Sequence, residues 1–291
     1  MNKLFKSVRV DTIVLVSTVM RSQFMSKVFT RFNFIKHNHF EYIYKHSNFT
    51  IKFNPIDKYG RPLQTKIMRQ HWTLKIELQY EALRTMNADI NYLLQEFDFT
   101  IKQLELAFDF ISPFSQHFSY IGKAKANYKF KKSGGEIVDC GENYYIYSDS
   151  SRQQSLIYNK KKQLKDVKGI EIDDKHLLRY EITIRPKKDE QKPIHELEFG
   201  WIEKYLEKFI FIPNMKKIPK LDNNTYKLMQ KIMRRRGKDF KRIPERQGDK
   251  IKEIAKRNKF DFVSAFNNNI EQLFSWIPEK LSDEEMFKLF G

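Results

Sequence analysis

A tyrosine and a run of lysines lie side by side in the segment SLIYNKKKQL. Tyr158 ends a stretch that reads as a buried strand, and Lys160, Lys161 and Lys162 follow it almost directly. A tyrosinate can attack a phosphodiester and form a covalent phosphotyrosine, and neighbouring lysines would stabilise the charge or hold the phosphate oxygens. Because the chain has 14 tyrosines, the alternative is that Tyr158 packs beside a sheet edge and has no chemical role.

Acidic residues occupy two further segments that alternate like strands. Glu105 and Asp109 lie on the face of TIKQLELAFDF opposite its apolar side chains, and Glu181 lies within HLLRYEITIRP. Acids on neighbouring antiparallel strands would meet, and their hard oxygen ligands suit Mg²⁺ or Mn²⁺, which would polarise a scissile phosphate. Glu105 and Asp109 are about 13 Å apart along a regular strand, so we predict Glu105 with Glu181 as ligands and Asp109 as the second choice. The alternative for each acid is an ordinary ion pair with a surface lysine or arginine.

The elements that must position these side chains are strands and helices in mixed order. Period-two patterns predict strands in VRVDTIVLVST, HWTLKIEL, TIKQLELAFDF and HLLRYEITIRP, and two more within ENYYIYSDSSRQQSLIYNKK. Helical spacing extends from Gln79 to about Phe97 with a break near Asn87, and again over 194–212 with Pro193 in the first turn. Most connections are too short to hide a crossover helix. The sequence therefore predicts an α+β fold, with a mainly antiparallel sheet and helices on one face.

Positive charge concentrates after residue 213. The chain has a formal net charge of +18, and residues 216–259 contain 17 Lys/Arg and 5 Asp/Glu. We predict a catalytic α+β domain over 1–212 and a basic helical segment over 213–291 that binds DNA or assists the first domain. A solvated charged face is the alternative. The residues of this segment predicted to contact nucleic acid, together with Lys161 and Lys162, are Arg234, Arg235, Arg236, Lys238, Lys241 and Arg242.

Composition limits the class of protein and its compartment. A +18 excess is more easily tolerated when a polyanion neutralises it, and 41% hydrophobic residues argue against disorder. The single cysteine, Cys140, excludes an intramolecular disulfide framework and a CxxC zinc site, which favours the reducing cytoplasm. The apolar run near the amino terminus is too short to span a bilayer, so we expect no membrane partner.

Two other patterns have a functional and a structural interpretation. Aromatic and basic residues interleave in GKAKANYKF and in FTRFNFIKHNHFEYIYKHSNF, either as stacking surfaces for unpaired bases or as core strands whose lysines reach water. His37 and His39 have the spacing of two metal ligands on one strand face, with exposed loop histidines as the alternative. The carboxyl-terminal IKEIAKRNKFDFVSAFNNNIEQLFSWI has helix, break, helix spacing, which is consistent with a small helix-turn-helix-like module.

Four of these segments, in this order, resemble the tyrosine-type rolling-circle replication initiators, which include phage gene II/X replication proteins and plasmid Rep_trans initiators. VRVDTIVLVST resembles the opening strand, QLELAFDF the Arg-Ile-Asp-Leu-Ala strand, YYIYSDSSRQQSLIYNKKKQL the hairpin that ends in Ile-Tyr-Asp-Lys, and HLLRYEITIR the closing strand with Arg and Glu. The likeness covers roughly residues 8–210. This chain differs in having Tyr147-Ser148-Asp149 in place of a Gly-Ser-Arg turn, Glu105 where Asp is usual and Asn159 where Asp is common.

The resemblance implies a metal-dependent DNA nicking-closing endonuclease. Tyr158 would be the nucleophile, with Glu105, Asp109 and Glu181 on the metal side and Arg179 or Lys160 near the phosphate. The protein would bind a replication origin as single-stranded or hairpin DNA, nick one strand and leave a free 3′-OH primer, with a host helicase and polymerase as further partners. The alternative is a non-enzymatic DNA- or RNA-binding protein in which Tyr158 is purely structural.

Overall fold

The computed structural model describes residues 3–63, 71–119, 124–125, 130–131, 137–138, 141–146, 153–191, 193–196, 199–234 and 243–278. These residues form an α+β fold with a large antiparallel sheet, as the sequence predicts. The strands are β1 (Phe5–Met20), β2 (Phe40–Lys45), β3 (Phe49–Pro55), β4 (His71–Gln79), β5 (Thr100–Phe110), β6 (Phe118–Ser119), β7 (Ala124–Lys125), β8 (Phe130–Lys131), β9 (Ile137–Val138), β10 (Asn143–Ile146), β11 (Gln153–Asn159), β12 (Leu178–Ile184) and β13 (Phe211–Ile212).

Helices connect and follow these strands. Their bounds are α1 (Arg21–Gln23), α2 (Tyr80–Arg84), α3 (Ala88–Glu96), α4 (Lys160–Lys168), α5 (Gly200–Leu206), α6 (Asn223–Arg234), α7 (Glu245–Arg257), α8 (Phe262–Asn267) and α9 (Ile270–Phe274). The break predicted near Asn87 separates α2 from α3. Asn87 caps α3, because its side-chain oxygen accepts hydrogen bonds from the backbone N–H groups of Asp89 and Ile90.

Within the described ranges, nine strands form the main sheet, in the order β2-β3-β4-β1-β5-β12-β11-β10-β7. All of the strands predicted from alternation are present, including β10 and β11, which pair antiparallel. Successive side chains of β5 point to opposite faces of the sheet. Leu104, Leu106 and Phe108 are fully buried on one face, and Glu105 and Asp109 lie on the other. The site residues therefore share the face that lies opposite the apolar core of this strand.

The chain divides into two compact units, and the division passes through β1 and β5, which contribute to both. One unit comprises Met1–Arg9, Leu106–Ile184 and Gly200–Asn269. Its core is aromatic: the Phe110 ring lies 4.8 Å from that of Phe260 and 5.1 Å from that of Phe211. The domain boundary predicted after residue 212 stays a prediction.

The other unit comprises Val10–Glu105, Arg185–Phe199 and Ile270–Gly291. In it the rings of Phe29 and Phe34 stack at 5.6 Å, and the rings of Phe29 and Tyr42, like those of Phe32 and Tyr44, lie 5.1 Å apart. The aromatic residues of FTRFNFIKHNHFEYIYKHSNF thus contact one another extensively, which favours the core interpretation of that segment.

The helix predicted over 194–212 is wrong in its extent. Of the residues that the structure describes in this range, only Gly200–Leu206 form an α-helix, and Phe211–Ile212 forms β13. Pro193 does not begin this helix; it forms a bridge with Thr100, and the backbone N–H of Ile194 donates to the carbonyl of Phe99. Pairing with a strand distant in sequence satisfies these backbone groups, and it outweighs the local helical periodicity.

Candidate active site

The register between β11 and β12 brings Tyr158 to an acid. Tyr158 lies opposite Arg179, and Leu156 lies opposite Glu181, so Tyr158 and Glu181 are diagonal neighbours on one face of the sheet. The Tyr158 hydroxyl donates a hydrogen bond to Glu181 Oε1 at 2.5 Å. Only 3% of the Tyr158 surface is exposed. The phenol is therefore oriented by a buried carboxylate, which can accept its proton.

A buried ion pair lies next to this phenol. Arg179 donates from Nε to Asp109 Oδ1 and from Nη2 to Asp109 Oδ2, both at 2.7 Å. Its Nη1 lies 3.7 Å from Glu181 Oε1. Burial lowers the pKa of Arg179, but the hydrogen bonds to Asp109 and the charges of Tyr158, Asp109 and Glu181 outweigh it and hold the pKa well above its usual range. The guanidinium thus stays a fixed positive charge beside the phenol.

Lys160 places a second cation at the same phenol. It is the first residue of α4 and is 8% exposed, and its backbone N–H donates to the carbonyl of Leu177. The Lys160 Nζ lies 3.4 Å from the Tyr158 hydroxyl oxygen and 5.5 Å from the centre of its ring. Asn159 caps α4 by accepting from the backbone N–H of Lys162, which fixes the turn that carries Lys160 back toward Tyr158.

Three acids form a group with the donor set for a hard cation. Asp11, Glu105 and Glu181 each present a carboxylate oxygen, and these oxygens lie within 4.8 Å of one another. Three carboxylates suit Mg²⁺ or Mn²⁺. Within the part of the chain that the structure describes, no other set of three or more His, Cys, Asp or Glu residues meets this distance. Asp11 was not among the ligands predicted from the sequence, although an acid in the middle of the apolar run VRVDTIVLVST was a signal for it.

Asp109 was predicted as a metal ligand of second choice, after Glu105 and Glu181. Both of its carboxylate oxygens accept hydrogen bonds from Arg179. The position of Asp109 gives it a direct effect on the orientation of the guanidinium, while its role as a metal ligand stays a prediction.

The side chains of the two lysines that follow Lys160 have different environments. Lys161 Nζ donates to the backbone carbonyl of Asp174 at 2.8 Å, whereas Lys162 is exposed. Arg234 is exposed at the end of α6. The remaining predicted nucleic-acid contacts lie outside the described residues: Arg235, Arg236, Lys238, Lys241 and Arg242.

Tyr180 has a different environment from Tyr158. Its ring lies 4.6 Å from that of Phe211 and 5.1 Å from that of Phe262, and its hydroxyl donates to Ser155 Oγ at 3.2 Å. It is 1% exposed. Tyr180 thus packs in the aromatic core of its unit, on the opposite face of β12 from Glu181, and it is a matched control for Tyr158.

The two histidines of the HNH segment contact each other. His37 Nδ1 accepts a hydrogen bond from the backbone N–H of His39 at 3.2 Å, and the ring centres are 5.7 Å apart. His39 is exposed and His37 is partly exposed. One imidazole nitrogen of the pair is therefore already used within the loop.

The fold places this chain among α+β proteins with a large antiparallel sheet. Among solved structures, it is similar to a rolling circle replication initiator protein from Geobacillus stearothermophilus, with 16% sequence identity and a TM-score of 0.42, over 77% of this chain and 97% of that one. No model of a protein family matches the sequence, and no curated protein does. Among the described residues, no helix is both long and apolar enough to cross a membrane.

Proposed function

We propose that the protein is a replication initiator that nicks single-stranded DNA through Tyr158. The observation that carries the proposal is the hydrogen bond from the buried Tyr158 hydroxyl to Glu181, beside the cations of Lys160 and Arg179. A structural tyrosine needs only one partner for its hydroxyl, whereas this one lies among an acceptor for its proton and two charges suited to a phosphate. The order of the four sequence motifs that resemble tyrosine-type initiators supports the same reaction.

The proposed step is a transesterification. Glu181 accepts the phenol proton, and the Tyr158 oxygen forms a bond to the phosphorus of the scissile phosphodiester. The bond from phosphorus to the 3′ oxygen breaks, and that oxygen takes up a proton to give a free 3′-OH. The product is a 5′-phosphotyrosine, and the reverse reaction closes the strand. No water or oxidant is consumed.

The remaining residues stabilise charge in this step. Lys160 and Arg179 lie where they can compensate the negative charge that develops on the phosphate oxygens. Asp109 positions Arg179 through its two hydrogen bonds. Asp11, Glu105 and Glu181 would hold Mg²⁺ or Mn²⁺, which supplies polarisation of the phosphate when bound. Because Tyr158 is 3% exposed, the proposal requires that DNA binding displace the groups that cover the phenol.

The DNA partner is a replication origin in single-stranded or hairpin form. The basic segment 213–291, with exposed Arg234, would contact phosphates outside the active site, as a region distinct from the nicking domain 1–212. A host helicase and polymerase would use the nicked strand and its 3′-OH. We propose that this reaction takes place in the cytoplasm, because a chain with a single cysteine cannot form an intramolecular disulfide and therefore fits a reducing compartment.

The test is a denaturing gel of the purified protein with labelled single-stranded DNA from its own origin, with Mn²⁺ or with chelator. We expect a protein–DNA adduct that survives denaturation, requires the metal and is absent in Tyr158→Phe. Tyr180→Phe is the matched control, because it also removes a buried phenol hydrogen bond but should keep the adduct. The Glu181→Gln variant should form adduct at least about 100-fold more slowly, since a general base contributes on the order of 10²–10⁴ in rate.

Two outcomes would contradict the proposal. An adduct retained in Tyr158→Phe would move the nucleophile to another tyrosine. Strong DNA binding without an adduct on any origin strand would leave a non-enzymatic nucleic-acid-binding protein.

A further inference from the structure

A tight turn after β3 presents an exposed aromatic ring on a fixed backbone. We call residues Asp57–Leu63 the Tyr59 turn. Asp57 Oδ1 accepts hydrogen bonds from the backbone N–H groups of Tyr59 at 2.8 Å and of Arg61 at 2.9 Å. The Asp57 N–H donates to the carbonyl of Arg61, and the N–H of Gly60 donates to the carbonyl of Asp57. Gly60 has a φ of 77°, which a residue with a side chain rarely adopts. The turn is thus organised by its own residues.

The ring at the tip of this turn is accompanied by two cations. Tyr59 is 70% exposed and the neighbouring Leu63 is 60% exposed. Lys58 Nζ lies 4.9 Å and Arg61 Cζ lies 5.7 Å from the centre of the Tyr59 ring. Both cations are exposed. At such distances in water the cation–π attraction is worth about 0.5–1 kcal/mol, so a stronger anionic partner would draw either side chain away from the ring.

This combination fits an unpaired nucleotide. A base stacks on an exposed aromatic ring, and the phosphates on either side of it lie within reach of flanking lysine and arginine side chains. In a duplex the base faces are already stacked, so a ring on a turn has no face to contact. An apolar protein surface would leave Lys58 and Arg61 without partners in the interface. The fixed backbone also lowers the entropy lost when a ligand binds.

We propose that the Tyr59 turn binds single-stranded DNA by stacking one base on Tyr59, with Lys58 and Arg61 on its flanking phosphates. The inference rests on the proposed function only in the choice of DNA as the ligand. It adds a contact outside the Tyr158 site, one that holds the unpaired strand without taking part in the reaction. The stacking is independent of base identity, because every base has a π face.

The test measures binding of a fluorescent single-stranded oligonucleotide by anisotropy, in chelator and in the Tyr158→Phe background, so that no covalent product forms. We expect Tyr59→Ala to weaken binding about tenfold, and Tyr59→Phe to stay within about twofold of the parent, because the ring alone stacks. A Lys58→Gln/Arg61→Gln double variant should weaken binding and lower the slope of log K against log salt by about 1.4, for two phosphate contacts to a single strand. Ile170→Ala, which alters an apolar side chain that is 47% exposed, is the control and should bind like the parent.

A second readout locates the contact directly. An oligonucleotide with 5-iodouracil should photo-crosslink to the peptide that contains Tyr59, and Tyr59→Ala should remove that crosslink. Unchanged affinity in Tyr59→Ala, or equal losses in Tyr59→Ala and Tyr59→Phe, would overturn the stacking contact. An equal loss of duplex binding, or tighter binding of an RNA of the same sequence, would overturn the assignment to single-stranded DNA. If no adduct forms in the nicking assay while these binding results are obtained, the proposed nicking function is contradicted, and the Tyr59 turn is still a contact for single-stranded DNA.

Discussion

Removing the charge of Asp109 tests the structural basis of the candidate site. The Asp109–Arg179 pair is bidentate at 2.7 Å, and Arg179 is 2% exposed. Asp109→Asn keeps the shape of the side chain but leaves a buried guanidinium without its closest negative partner. Breaking a buried pair in this way destabilises proteins by about 3–5 kcal/mol. Because Glu181 Oε1 remains 3.7 Å from Arg179 Nη1 and compensates part of the charge, we expect the lower end, about 3 kcal/mol.

Urea unfolding at pH 7 measures this loss as a lower midpoint with an unchanged m value. Asp249→Asn is the matched control, because it breaks an exposed pair with Lys252 whose side chains are 60% and 43% exposed, and it should change the free energy of unfolding by less than about 1 kcal/mol. Adding Arg179→Met to Asp109→Asn should recover part of the stability, since no unpaired charge is then buried. A loss below about 1 kcal/mol in Asp109→Asn would refute the argument that Arg179 depends on Asp109.

Two further predictions concern stability. Burial lowers the pKa of His117 to about 4, whereas an unfolded histidine titrates near 6.5, so the folded state loses stability as the pH falls from 6.5 toward 4, by about 2 kcal/mol between pH 7.5 and pH 5. Urea unfolding at those two pH values should show a smaller fall for His117→Gln than for the native chain, and equal falls would contradict the assigned burial effect. Asn87→Ala should lower the free energy of unfolding by about 1 kcal/mol through loss of the α3 cap, while exposed Asn38→Ala should leave it nearly unchanged.

The positions of six strands of the sheet follow from the sequence because a strand has a period of two: β1, β4, β5, β10, β11 and β12. Alternation in TIKQLELAFDF and HLLRYEITIRP was sufficient to assign Glu105, Asp109 and Glu181 to faces of β5 and β12. The helix break at Asn87 could also be predicted from the sequence, since a capping side chain accepts hydrogen bonds from backbone N–H groups two or three residues further along the chain. These features depend on interactions between near neighbours.

What the sequence could not decide depends on which strands become neighbours. The chain has many acids and several lysines near Tyr158, and alternation alone does not say that the Tyr158 hydroxyl donates to Glu181 or that Asp109 pairs with Arg179. The strand order places β12 between β5 and β11, and this order involves contacts between residues 70 and 82 positions apart. Likewise, Pro193 and Ile194 pair with Thr100 and Phe99 instead of continuing a helix. The sequence by itself determined the alternating strands that carry the candidate site and the faces of their side chains. The tertiary structure decided their partners and the extent of the 200–206 helix, because both are set by packing and hydrogen bonding across long sequence separations.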